Sequence, residues 1–570
     1  MKVFVSLLLT TVAAWSQGGA PTQQFTTVML SGKLKDPTQM SIAPDGKVFF
    51  LEREGKVKVW NPTNNQTTVA AELKASSTAE DGMLGLALDP AYKTSKQLFI
   101  YYSPAGEDKY LGLFRFNVGT DDKLDTASKK LVLRINYERD DHSAGGIYFD
   151  SKGLLYIAVG DDTYINDQPG ESKLNGYSPM DERPTPMSKR HDSQRTAANS
   201  KDLRGKILRI KPKSDGTYEI PTGNLFTDTA QGLPEIFTMG NRNPFRISVD
   251  QKTDWLYWCE PGPNAGAADI KRGPANTEEI NMAKVPGFYG WPYFVGNNVP
   301  FVDYNYATGV SGAAFDPDMP INESPNNTGL KVLPKPVPAM VWYGYNQNPV
   351  WPDFGSGFTD AAMAGPIYHF DSSLVSSVKL PKEYDNSLFV FDWGRSFIKA
   401  LKLDSAGKAT TTATFKDGGV TEMKLDFDSA GNFVRAYMQA NPIISPIDMK
   451  LGPDGALYVL VWGAWDYPHN SYNGSLVRIQ SGPLRAGESE ATTAIKNISK
   501  QRRDRIISGS ITLLGMARTF ELLDGIRGLD IYSLNGAKVW NYRRTNVTGN
   551  VTVTLPSVIS GGTYKVKTVR

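Results

Sequence analysis

This sequence predicts an all-β fold, a six-bladed β-propeller followed by a small C-terminal β-sandwich. Three observations carry it: a recurring turn-then-strand phrase, a composition rich in turn formers, and a change of character after Ile479. The phrase is a turn with Asp-Gly or a related pair, followed by alternating apolar residues. It occurs as APDGKVFFLEREGKVKVW (43–60), FDSKGLLYIAVGDD (149–162), VDQKTDWLYWCEPG (249–262), FDSAGNFVRAYM (427–438) and GPDGALYVLVWG (452–463). Two further stretches, 86–103 and 383–404, have the same form without Asp-Gly. Gly accepts positive φ in tight hairpin turns, and period-two alternation marks a half-buried strand. Short sheets repeated over 25–480 are the mark of a propeller. The spacing places blade edges near 40, 84, 144, 205, 362 and 420.

The composition agrees, with 53 Gly and 36 Pro in 570 residues supplying many turns. Basic and acidic residues nearly cancel (62 against 59, net +3), so charge offers no case for nucleic acid or a membrane surface. Cys259 is the single cysteine, which excludes an intramolecular disulfide, and no C-x-x-C-H is present for covalent haem. The N-terminus reads as an export signal, residues 1–16. Lys2 starts it, 3–14 are apolar, and Ala14-Trp15-Ser16 is a small-x-small cleavage site. The apolar run is too short to span a bilayer, and no later run is long enough. An exported protein is the expectation.

Two long polar stretches, 163–204 and 261–365, interrupt the repeat. Long loops in a compact domain are usually binding loops or lids, and in a propeller they gather over one face. Residues 481–506 read as a linker. Residues 507–570 read as a β-sandwich, with short alternating strands and an Asn535-Gly536 turn.

Several segments carry chemistry. His142 sits in DDHSAGGIYFD (140–150), just before a strand. An imidazole is suited to general base work because its ordinary pKa, about 6.5, lies near working pH. Arg242 and Asn243 lie in MGNRNPFRISVD (239–250). A guanidinium fork can hold a planar carboxylate or a quinone oxygen. The Gly262-Pro263 turn can aim backbone carbonyls at one hard cation. Glu278, Glu279 and a Gly-Trp-Pro corner at Trp291 follow.

Taken in order, EDGMLGLALDP, HSAGG, AVGDD, LRGKILRI, GNRNPF, PGPN, EEIN, YGWP and GPDGALYV resemble the soluble PQQ-dependent sugar dehydrogenases, the glucose/sorbosone dehydrogenase family. The resemblance covers about 25–480. It implies oxidation of the anomeric carbon of an aldose or oligosaccharide to a lactone, with PQQ and calcium as cofactors. Electrons would leave to an external acceptor, a cytochrome or quinone. The family's base falls on His142, and its oxyanion-stabilising arginine on Arg242. Cofactor contacts fall on Arg242, Asn243 and Arg395, with His369 where the glucose enzymes use Lys. Calcium ligands fall on the carbonyls of Gly262 and Pro263, and pocket-lining acids on Asp161, Asp162 and Glu80. His191 and His469 match no motif and read as surface or structural. The C-terminal unit resembles the sorting domains read by type IX secretion machinery, implying a secreted or cell-surface protein, otherwise a periplasmic one; a fibronectin-like spacer or carbohydrate-binding appendage is the other reading of these strands. Two other classes stay open on these residues: a non-catalytic carbohydrate- or protein-binding propeller, and a calcium-dependent lactonase.

Overall fold

The computed structural model describes residues 25–482 apart from 107, 139–140, 164–173, 358–360, 396, 411–421, 425–444 and 464–473, and six further strands, as backbone, between 508 and 569. The segments predicted as an export signal (1–16) and most of the linker (481–506), the phrase at 427–438 and His469 lie outside the described residues. The chain divides into two units, Met1–Ala491 and Thr492–Arg570.

The first unit is a six-bladed propeller. Blade 1 is Pro37–Ile42, Val48–Glu52, Lys56–Asn61 and Gln66–Glu72; blade 2 is Met83–Leu88, Gln97–Tyr102, Tyr110–Val118 and Leu124–Asn136. Blade 3 is Ile147–Phe149, Leu155–Val159, Lys206–Pro212 and Ile236–Met239, with Gly287–Phe288 added in parallel. Blade 4 is Arg246–Val249, Leu256–Glu260, Glu278–Ala283 and Val341–Tyr343. Blade 5 is Ala362–Tyr368, Ser387–Asp392, Phe397–Lys402 and Glu422–Lys424. Blade 6 takes Pro446–Leu451, Leu457–Val461 and Gly474–Ser481, and borrows its outer strand from the start of the chain, Phe25–Leu34. That pairing closes the ring, because the last blade is completed by a strand from the other end of the propeller sequence. The first strand of each blade touches that of the next, blade 6 back to blade 1, so these six strands line the axis.

Apolar side chains fill the spaces between blades, as alternating strands require. Phe49, Leu51 and Val57 of blade 1 pack against Met83, Leu86 and Ile100 of blade 2. Tyr156, Ala158 and Ile207 meet Ile247, Val249 and Trp258 between blades 3 and 4. Cys259 is buried with Ile280, Ala364 and Leu388 between blades 4 and 5. The axis itself is polar. Arg246, fully buried on blade 4, donates across it to the carbonyls of Ile447 on blade 6 (2.9 Å) and Thr38 on blade 1 (2.7 Å). Burial draws its pKa down to about 10, against the pull of Asp448.

Two expected blade edges were misplaced. Blade 4 begins at Arg246 rather than near 205, because Lys206–Pro212 pairs antiparallel with Leu155–Val159 inside blade 3. The 163–204 insertion therefore interrupts a blade instead of separating two. Blade 6 begins at Pro446 rather than near 420, since Glu422–Lys424 completes blade 5. Nor is 261–365 a single loop, for it contains the two outer strands of blade 4.

In the second unit, Ser508–Leu513, Gly562–Val569, Gly528–Tyr532 and Lys538–Arg543 form one sheet in that order, and Thr519–Leu522 pairs with Val551–Thr554.

Candidate functional site

Strand pairing fixes which loops share a face. In each blade the first strand starts, and the second ends, at the same end of the sheet. His142 precedes the first strand of blade 3, and Asp161 follows its second. Arg242 and Asn243 precede blade 4, and Gly262 and Pro263 follow its second strand. Glu80 precedes blade 2, and Arg395 follows the second strand of blade 5. All emerge on one face.

His142 is buried, with a left-handed backbone (φ 51°), as is Ala144 (φ 50°). Such conformations cost a non-glycine residue about 1–3 kcal/mol and recur where a side chain must be aimed. A close approach holds the segment, because a Cβ at Gly160 would lie 1.6 Å from the His142 carbonyl oxygen. His142 Nδ1 lies 2.6 Å from Asp161 Oδ1. The fully buried Asp161 also accepts from Ser193 Oγ (2.6 Å), Trp291 Nε1 (2.7 Å) and the Thr163 amide (3.2 Å). Burial alone would raise the Asp161 carboxyl. The charge and hydrogen bond of His142, then Ser193 and Arg242, outweigh it and hold the carboxyl below its ordinary value.

The Arg242–Asn243 loop packs against this pair. Asn243 Oδ1 accepts from the Ala144 amide (3.0 Å), and its Nδ2 donates to Glu80 Oε2 (3.2 Å), which also accepts from the Ser143 amide (3.2 Å). Asn243 and Glu80 thus hold the two successive amides that follow His142 and bond each other. Arg242 donates its amide to Glu260 Oε2 (2.5 Å) and Nη1 to the Pro261 carbonyl (3.2 Å), and its guanidinium lies 5.8 Å from the Trp291 ring centroid. Its Nε is buried and has no acceptor among the described residues. A buried unsatisfied cationic donor is costly, and such groups point to a missing acceptor.

Below Arg242 lies an acid pair. Asn281 Nδ2 bridges Glu260 Oε1 (3.4 Å) and Glu279 Oε2 (3.0 Å). Both carboxyls are raised, chiefly by burial, and Glu260 further by the charge of Glu279. Beside them, a Cβ at Gly262 would sit 2.0 Å from the Thr277 carbonyl oxygen, so only glycine fits. The Pro263 carbonyl accepts from Asn276 Nδ2 (3.0 Å), while the buried Asn276 Oδ1 has no donor among the described residues. A cavity of about 210 Å³ opens beside Asn276, walled by Trp342, Tyr345 and Gln347. Oxygens of this kind, backbone carbonyl and amide, suit a hard cation.

Three expected residues fall elsewhere. Arg395 shares the face, but its guanidinium is spent on the backbone carbonyls of Phe354 (2.7 Å), Gly344 (2.6 Å) and Gly357 (2.7 Å), where it holds the 344–357 loop. His369 follows the far end of its strand and pairs with Asp250 (2.7 Å) in the hairpin turn of blade 4, on the opposite face. Asp162 turns away to Arg204 Nη1 (2.5 Å) and the Glu138 amide (3.0 Å). His191, which matched no motif, is fully buried. Ser193, Trp291 and Glu260 took no role from sequence. Ser193 and Trp291 lie in stretches without periodicity; Glu260, an acid ending an apolar strand before Gly-Pro, carried a readable signal.

The profile of the Glucose / Sorbosone dehydrogenase family matches residues 34–314. The chain is similar to the aldose sugar dehydrogenase of Escherichia coli (strain K12), 25% identical over 46% of this chain and 61% of the relative, under two thirds of its length. It is similar to quinoprotein glucose dehydrogenase B of Acinetobacter calcoaceticus, 23% identical over 69% of this chain and 80% of the relative. It also matches Hedgehog-interacting protein of Mus musculus, 25% identical over 39% of this chain and 31% of that one. Among solved structures, an oxidoreductase (glucose dehydrogenase) from Thermus thermophilus superposes with TM-score 0.50 at 21% identity, covering 80% of this chain and all of that one, which supports the propeller fold.

Proposed function

Through residues 34–314 this chain belongs to the Glucose / Sorbosone dehydrogenase family, and from that premise we propose a PQQ- and calcium-dependent sugar dehydrogenase that oxidises the anomeric carbon of an aldose or oligosaccharide to a lactone. The observation that carries it is the unsatisfied Arg242 Nε, buried on the same face as the His142–Asp161 pair. When bound, PQQ supplies the hydride acceptor and calcium polarises its carbonyl.

The chain's own groups do the rest. Nδ1 of His142 donates to Asp161, which fixes the tautomer and leaves Nε2 to accept the anomeric hydroxyl proton. Asp161 stays ionised and steadies the imidazolium that forms. Arg242 Nε would bond a cofactor oxygen and stabilise negative charge as it develops there. Gly262, Pro263 and Asn276 Oδ1 would hold the calcium ion. Asn243 and Glu80 keep the base in place, and Glu80 is the acid left near substrate. In this reading Arg395 shapes the loop and His369 braces two blades, and neither holds the cofactor.

Electrons pass to an external cytochrome or quinone. The protein is exported by the segment 1–16 and directed by the C-terminal unit to secretion machinery. Among the described residues no helix is long and apolar enough to cross a membrane. The alternative, a propeller that binds carbohydrate or protein without catalysis, is favoured by one observation: the fork of Arg395 is already occupied.

The test is dye reduction by the full chain with a panel of aldoses, with and without PQQ and calcium. Reduction that requires all three supports the dehydrogenase. No PQQ binding and no reduction under any condition would leave the binding module.

A further inference from the structure

Lys206 opens the third strand of blade 3 and is fully buried. Its ammonium donates to the carbonyls of Thr196 (2.7 Å), Ala197 (3.0 Å) and Arg204 (2.8 Å), three donors meeting three acceptors. No carboxylate is among its bonded partners. The side chains of Asp202, Arg204 and Asp161 act on it through charge without bonding it, and burial brings its pKa down to about 7. A buried cation satisfied by dipoles alone is expensive, and an apolar side chain would continue the strand at less cost.

What the ammonium gathers is the end of a turn. Ser193–Arg195 forms one turn of 3-10 helix, capped by the Asp192 carboxylate, and Thr196 and Ala197 follow it directly. Within that turn the Ser193 hydroxyl donates to Asp161 Oδ2 (2.6 Å), and Arg195 Nη2 donates to the Asp162 carbonyl (3.2 Å). Gly205 lets the strand come this close, since a Cβ there would lie 2.6 Å from Ala197. The contacts run from Lys206 to the turn, from Ser193 to Asp161, and from Asp161 to His142.

We propose that Lys206 is a positioning residue: by drawing in the carbonyls of Thr196 and Ala197 it holds the Ser193 hydroxyl on Asp161 and so fixes the imidazole of His142. The kinetic consequence rests on the dehydrogenase reading; the positioning itself does not.

The experiment compares Lys206→Met, which keeps the stem and removes the charge, with Ser193→Ala and the double variant. In the chain without cofactor, the far-downfield proton NMR signal of His142 Nδ1–H, assigned by its loss in His142→Ala, should shift or broaden in both single variants and no further in the double. With PQQ and calcium, kcat should fall about tenfold in each, since small misplacements of a catalytic group cost this much or more. KM and PQQ affinity should hold, and the double variant should fall no further, because the two residues act through one contact. An unchanged signal in Lys206→Met, or losses that multiply, would overturn the proposal; lowered melting with a native signal would reduce Lys206 to a structural role. Should Lys206→Met not fold, Ser193→Ala decides alone, and a native signal there breaks the path. If the wild-type chain reduces no dye, the dehydrogenase reading fails while the NMR comparison still decides this one.

Discussion

Two His–Asp pairs stand at opposite ends of the propeller, and their bond lengths barely differ. His142 meets Asp161 at 2.6 Å, and His369 meets Asp250 at 2.7 Å. Their surroundings separate them. The His142 side chain is 3% exposed and its partner draws further bonds from Ser193 and Trp291; the His369 side chain is 27% exposed and its partner's second oxygen is held by Thr253 of its own turn. Near the first pair lies a buried arginine nitrogen with no acceptor among the described residues; the second braces a hairpin turn against a strand end. Geometry within a pair is therefore a poor guide to function, and what surrounds it decides.

The largest expected difference between them is kinetic. His142→Ala should lower kcat by about two to four orders of magnitude, the usual loss of a general base, with PQQ still bound. His369→Ala should keep kcat within about threefold, measured in the same dye assay. Comparable losses in both would erase the contrast.

Next in size are the carboxylates. Asp161→Asn keeps the shape but loses the charge that fixes the tautomer, and should cost about a hundredfold or more in kcat. Asp250→Asn should alter melting and leave turnover near wild type.

A third comparison sets Arg242 against Arg395. Arg242→Met should weaken PQQ binding, read by spectral titration, and barely change melting. Arg395→Ala orphans three backbone carbonyls and should destabilise the fold by about 2 kcal/mol, with PQQ affinity kept. A reversed pattern would return Arg395 to the cofactor.

The smallest effect is in acid. The Asp161 carboxyl lies below its ordinary value of about 3.8 in the folded chain, so its contribution is present above that pH and lost as pH falls through the lower folded value. Stability of the wild-type chain should drop on acidification below about pH 4, and Asp161→Asn should lose that part of the slope. An identical slope would show that Asp161 is not held by charge.

The same contrast measures how much was legible in the sequence. Period-two strands behind Asp-Gly turns exposed the blades, and six blades stand. The insertion 163–204 displaced a blade edge because a chain can leave a sheet between neighbouring strands and return to pair, as Lys206–Pro212 does. His142, Asp161, Arg242 and Asn243 were readable because each flanks a strand end in a compact motif. His369 also flanks a strand end, but the other one, and nothing in the motif says which. Trp291 reaches Asp161 across 130 residues and Ser193 across 32, contacts that exist only once the loops of blade 3 fold back over the end of its second strand. Glu260 was within reach: an acid at the end of WLYWCE, all apolar after Asp254, has to be buried for a reason.

The most direct test of the account is the reaction of the PQQ- and calcium-loaded chain with an aldose carrying deuterium at the anomeric carbon. Wild type should react more slowly with the deuterated sugar than with the ordinary one, while His142→Ala binds PQQ and reacts with neither at a comparable rate. Equal rates for the two sugars under conditions where chemistry limits turnover, or His142→Ala reacting like wild type, would contradict proton removal and hydride transfer at this site.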